Sequence, residues 1–163
     1  MIALLLLACA GPADKPDTAD TTAPLPGDPD YVRDPALDVD LQSEAGSTTS
    51  HHTGESCTHC HQAHSDAPGQ FTASGSAYTA DGAPATTGTI QLWAPVVDGG
   101  ALLLALPVDA LGNFYTTVDL GLPDAPVQPL VLDGSGVAVN QMPWPTESAS
   151  CNQCHTPGLR VAM

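Results

Sequence analysis

The sequence predicts a mainly β protein, a small β-sandwich with short helical or loop segments at both ends. Among 163 residues there are 15 Gly and 16 Pro, while aromatic residues make up 4% and charged residues 13%. That composition favours turns and short strands over long helices. From residue 71 onward, short apolar runs bounded by turn residues recur at the spacing of an all-β domain. No internal repeat or coiled-coil heptad competes with this reading.

Residues 71–79 (FTASGSAYT) are the first expected strand, ended by a turn at Asp81, Gly82, Ala83 and Pro84. Residues 89–95 (TIQLWAP) form the second, broken by Asp98, Gly99 and Gly100. The continuous apolar run at 101–108 (ALLLALPV) suits a buried strand. Leu111, Gly112 and Asn113 turn the chain into 113–120 (NFYTTVDL); 127–132 (VQPLVL) and 137–141 (VAVNQ) complete the set around a hairpin loop at Asp133, Gly134, Ser135 and Gly136. The sandwich core is expected at about 70–142, within one domain of residues 51–163.

The amino-terminal fifty residues read differently. Residues 1–8 (MIALLLLA) are apolar and end against Cys9, too short a run for a membrane span of about 20 residues. Leu6-Leu7-Ala8-Cys9 resembles the lipobox of bacterial lipoproteins. That resemblance implies a signal peptide at 1–8, a lipid on the Cys9 thiol, and an exported protein held at a membrane, in the periplasm, at the outer membrane or on the cell surface. Residues 9–50 are rich in Pro, Asp, Thr and Ala with little to bury, the composition of a disordered, extended tether.

Three basic residues, Lys15, Arg33 and Arg160, face 18 acidic ones, for a formal charge of −15. Such a polyanion repels phosphate backbones, so nucleic acid is not an expected partner. Nine of the carboxylates lie between Asp14 and Glu44, where they keep the tether solvated.

Two segments carry chemistry. Cys57-Thr58-His59-Cys60-His61 and Cys151-Asn152-Gln153-Cys154-His155 both fit C-x-x-C-H, the c-type haem attachment signature. Two thiols at this spacing reach two vinyl groups on one porphyrin edge, and the next residue offers an imidazole to the iron. Cys9 and the two motifs account for all five cysteines. Two other readings of the same residues stay open: disulfides of an exported protein, and zinc held by Cys57, Cys60, His61 and His64 or by the four motif cysteines together.

The order Ser74-Gly75-Ser76-Ala77-Tyr78, Asp81-Gly82-Ala83-Pro84, Ile90-Gln91-Leu92-Trp93 and Gly112-Asn113-Phe114-Tyr115-Thr116 resembles the carboxypeptidase-regulatory or transthyretin-like β-sandwich, which implies a scaffold without catalysis. Over residues 57–163, the two motifs with the strand at 71–75, the turn at 112–117 and the closing Cys-Asn-x-Cys-His-Thr-Pro-Gly-x-Arg resemble small dihaem c-type cytochrome-like proteins of bacteria rich in multihaem cytochromes. The resemblance implies two covalent haems c, thioethers on Cys57, Cys60, Cys151 and Cys154, and proximal ligands His61 and His155.

His51, His52, His59, His64 and Met142 remain for the two distal positions. His64 lies too near His61 to hold the opposite face of the same haem and is expected to reach the other one; His51 or His52 then caps the first. Met142-Pro143 resembles the Met-Pro step that supplies a thioether ligand in some cytochromes c. His59, inside the cysteine loop, is expected in solvent. Arg160, the one cation after Arg33, is the expected partner of the haem propionates. The function these features imply is electron transfer rather than catalysis, with redox proteins as partners and self-association as a further expectation. A dihaem peroxidase or reductase is the enzymatic alternative, and a zinc- or disulfide-stabilised binding module the third.

Overall fold

Side chains that alternate across a strand sort themselves between two environments, and that sorting sets the two faces beside which the functional turns of this chain lie. The computed structural model describes residues 23–95, 100–156 and 160–163. Within them lie eight strands: β1 (Ala73–Tyr78), β2 (Thr89–Trp93), β3 (Leu102–Pro107), β4 (Asn113–Thr116), β5 (Gln128–Leu132), β6 (Ala138–Gln141), β7 (Ala149–Ser150) and β8 (Val161–Ala162). Helical structure among the described residues is limited to 3₁₀ turns, at Pro35–Leu37, Cys57–His59 and Cys151–Gln153. No described helix is long and apolar enough to cross a membrane.

One sheet has the order β3-β2-β5-β6 and is antiparallel throughout. In β2, Ile90 and Leu92 are buried while Thr89, Gln91 and Trp93 are half-buried, the alternation of a strand with one face on the core. The other sheet is built around β1, with β4 antiparallel on one side and β7 and β8 parallel on the other. Every residue of β1 is buried. Between the sheets lies a core of small residues, in which Phe114 packs with Ile90, Leu92, Leu106, Val108, Val127 and Val131 and with Ala73, Ala77, Ala85 and Ala149.

The turns follow their side chains. Asp109 Oδ1 accepts from the backbone N–H groups of Leu111 and Asn113, both at 2.9 Å, to close the β3–β4 turn. Gly112 has φ +87° there, and a Cβ would stand 3.0 Å from Ala77 O. Asp133 Oδ1 likewise accepts from Ser135 N and Val137 N at 2.9 Å in the expected hairpin loop, the Asx geometry of such turns.

Three expectations need correction. The apolar run at 101–108 forms an edge strand rather than a buried one: Leu102 and Leu103 are each 45% exposed, and Leu106 is the fully buried residue of β3. A continuous apolar run has no period to distinguish the two cases. The sandwich also extends past residue 142, because β7 and β8 pair with β1; two-residue strands are too short to announce themselves. Finally, the expected tether at 9–50 is built onto the domain over its last twenty residues. Gln42 bridges Thr116 in β4, Ser43 N donates to Tyr115 O at 2.9 Å, and Thr117 N to Leu41 O at 3.0 Å. The signal peptide, Cys9 and the turn at Pro157 and Gly158 lie outside the described residues, as do Asp98 and Gly99.

Arg33 anchors that segment. Its side chain is 7% exposed. Nη1 donates to Gln62 O and Ser65 O at 2.9 and 2.7 Å, Nη2 to Leu37 O and Ala67 O at 3.1 and 2.6 Å, and Nε to Asp38 Oδ1 at 2.7 Å. Asp38 is 55% exposed, so its ion pair contributes little; the four carbonyls, three of them in part-buried contacts, carry the clamp. Replacing Arg33 with Gln is expected to cost about 2 kcal/mol, the scale of hydrogen bonds to a charged group, whereas Asp38→Asn stays below about 1 kcal/mol. Thermal denaturation of the two variants checks this order.

Candidate functional site

Each C-x-x-C-H segment folds as the same turn. Cys60 N and His61 N both donate to Cys57 O, at 3.1 and 2.9 Å; Cys154 N and His155 N both donate to Cys151 O, at 3.2 and 2.8 Å. The backbone of Cys60 (φ −101°, ψ −38°) matches that of Cys154 (φ −106°, ψ −37°). In a 3₁₀ turn side chains three residues apart stand on the same side. Both thiols of a motif therefore present together with the histidine following at once. All four thiols are free; Cys60 and Cys154 are exposed, and Cys57 and Cys151 half-buried. Burial pushes the Cys57 thiol up and the Cys151 thiol up to about 12, with Cys57 close enough to add to the second effect. Raised thiols are poor nucleophiles at neutral pH, and Cys60 and Cys154 are the solvent-exposed members of the two pairs.

His61 is held in one orientation. Its ring is buried, with Nδ1 2.8 Å from Pro68 O and 3.2 Å from Gly69 O. Carbonyl oxygens only accept, so Nδ1 carries the proton and Nε2 keeps its lone pair for a ligand. Phe71 stacks on the ring at 4.0 Å and 0°, and Tyr115 backs Phe71 at 4.9 Å. The loop that supplies the two carbonyls is the one Arg33 clamps at Gln62, Ser65 and Ala67.

A groove lies beside each motif. The first, of about 330 Å³, is lined by Cys57, Cys60 and His61 with Leu41, His51, His52, Phe71, Asn113 and Tyr115. The second, of about 300 Å³, is lined by Cys151, Cys154 and His155 with Ile90, Phe114, Val131, Met142 and Arg160. No residue lines both. The pleat of β4 explains this, since it sends Asn113 and Tyr115 to one groove and the intervening Phe114 to the other. The β1–β4 sheet is the partition.

The motifs are nevertheless joined. Asn152, 6% exposed, accepts from Ser76 N at 3.0 Å and donates to Glu55 O at 2.7 Å. Thr58 Oγ1 and Ser150 Oγ are 2.6 Å apart. Ser76 Oγ donates to Asn113 Oδ1 at 2.7 Å, and Asn113 Nδ2 holds His51 O at 3.1 Å. Asn113, Asn152, Ser76, Gly75 and Arg33 thus support the site in roles that the sequence pattern did not assign them; the available signals were the place of Gly75, Asn113 and Asn152 within the segments that carry the resemblance, and the rarity of Arg33 as a cation in an acidic chain.

The remaining expected residues divide as follows. His51 and His52 line the first groove, with the His51 ring 6.0 Å from that of His61. Met142 lines the second groove. His59 is exposed. His64 is exposed too, with Nδ1 3.3 Å from Tyr31 O, and lines neither groove; the clamped loop keeps it from the second motif that it was expected to reach. The Arg160 guanidinium lies over the Tyr78 ring at 4.6 Å and donates to Gly82 O at 3.0 Å, at the wall of the second groove. Among the described residues no group of three or more His, Cys, Asp or Glu side chains is arranged around a metal-sized point.

Gly75 is the position most sensitive to bulk. A Cβ there would stand 2.5 Å from Phe114 Cζ and 2.8 Å from Cys151 Cβ, both inside contact distance. Gly75→Ala is expected to displace Cys151 and raise the reactivity of its thiol while leaving that of Cys57 and Cys60 unchanged. Alkylation followed by peptide mapping checks this. Comparison of the chain with protein-family models, curated proteins and solved structures finds no match.

Proposed function

We propose that this chain is an electron carrier with two covalently attached c-type haems, exported and held at a membrane by a lipid on Cys9. The observation that carries the reading is the repetition of one backbone turn, with two thiols and an adjacent imidazole, beside two grooves that share no residue. A haem so held supplies reversible one-electron exchange, at a potential tuned by axial ligand and burial.

The chain's own residues fit that group on their donor chemistry. Cys57 with Cys60, and Cys151 with Cys154, offer thiols for attachment at two points. His61 presents Nε2 because Pro68 and Gly69 hold its other nitrogen. Aromatic and aliphatic walls, Phe71 and Tyr115 in one groove and Ile90, Phe114 and Val131 in the other, keep water from the ring faces. Arg160 brings a cation to the second groove, where ring carboxylates would otherwise face an acidic chain. Asn152 and the Thr58–Ser150 contact hold the two motifs together, and nearness of donor and acceptor is what a relay requires. An acidic surface with a net charge of −15 favours redox partners with a basic face.

The test is intact mass and a visible spectrum of the full chain matured with a c-type haem apparatus. The expected result is a mass increment of two haems, reduced to one by the double variant Cys57→Ser/Cys60→Ser, and a spectrum indifferent to carbon monoxide. Absence of covalent haem would overturn the proposal. Strong carbon monoxide binding by the wild type would shift it to an enzyme with an open iron.

A further inference from the structure

We infer that the two grooves close their irons with unlike ligands, His51 opposite His61 in the first and Met142 with His155 in the second, so that the second site has the higher reduction potential. This rests on the proposed attachment of haem at both motifs.

The fold sorts the candidate donors. The walls of the first groove hold His51 and His52 and no methionine; those of the second hold Met142 and no histidine besides His155. The other described candidates are committed elsewhere. His64 is drawn to Tyr31 O, His59 faces the polar hollow between the motifs, and Met163 packs at Gly88, where a Cβ would lie 2.6 Å from its sulfur.

Between the two histidines of the first groove, geometry favours His51. Its ring centre is 6.0 Å from that of His61 and the planes are 35° apart. Two imidazoles on opposite sides of one metal need two metal–nitrogen bonds of about 2 Å each, plus part of each ring, and 6.0 Å accommodates that span. Asn113 fixes the His51 carbonyl at 3.1 Å. His52 has φ +53°, an uncommon conformation for a non-glycine residue, which turns it edge-on to His51. Its Nδ1 lies 3.4 Å from Glu55 Oε2; both histidines are exposed, so this contact and the ring distance separate them, not burial. Met142 is fastened to β5: its N–H donates to Pro129 O at 3.1 Å, and its carbonyl accepts from Gln128 Nε2. That leaves the flexible thioether as the part of the residue able to adjust.

Two influences on potential act in one direction. A thioether in place of an imidazole raises it. Arg160 puts a positive charge at that wall, whereas the first groove has Glu55 at its rim.

An equilibrium redox titration of the full haem-loaded chain, followed by visible spectroscopy, tests the assignment. The expected outcome is two resolved midpoints, with Met142→His drawing the upper one down toward the lower. His51→Ala is expected to convert the first iron to a high-spin, carbon monoxide-binding form without moving the upper midpoint. A single shared midpoint in the wild type would overturn the inference, as would opening of the first iron by His52→Ala with His51→Ala silent. A chain whose intact mass lacks two haems would overturn the underlying reading instead, so the two failures are distinguishable.

Discussion

The hydrogen bond from Ser76 N–H to Asn152 Oδ1, 3.0 Å long and buried, is the contact on which this architecture depends. β1 is paired along its free side by β7 at Ala73 and Ser74 and by β8 at Ala77 and Tyr78. Between those two short strands the chain leaves the sheet to make the second C-x-x-C-H turn. A buried N–H left without an acceptor costs roughly 1–3 kcal/mol. The Asn152 side chain replaces the missing strand carbonyl, so the motif interrupts the sheet edge without that penalty. Its amide N–H then donates to Glu55 O at 2.7 Å and ties in the segment that opens the first motif.

From that junction the two sites acquire opposite surroundings. Gly75 lets Cys151 approach the core face of β1 beside Phe114, while Ser74 and Ser76 face the side where Cys57 and His51 lie. One sheet thickness separates a groove that holds His51 and His52 from one that holds Met142 and Arg160. A core made largely of alanine and valine buries little area per residue, and at about 25 cal/mol per Å² it gains from any further apolar surface laid against it.

Much of this was legible in the sequence. The strands from residue 71 to 141 followed from alternation and turn residues, and the two motifs from spacing alone. What was not legible depended on contacts between residues far apart. Arg33 sits in a segment with the composition of a tether, and no local pattern reveals that three carbonyls wait for it some thirty residues downstream. Asn152 occupies a variable position of its motif, so its role in the β1 ladder is invisible until β7 and β8 are placed. The exposed Leu102 and Leu103 read as core because an apolar run carries no record of which side of a sheet it will join. His51 was already expected beside the first motif, whereas the placing of Met142 in the second groove was hidden, because it depends on how the segment after β6 packs against β5.

The central claim is that one sheet separates two haem sites that its own edge brings together. Anomalous scattering at the iron edge from crystals of the haem-loaded chain measures this directly. The account predicts two iron positions on opposite faces of the β1–β4 sheet, one beside His61 Nε2 and one beside His155. A single iron, or two on the same face of that sheet, would contradict it.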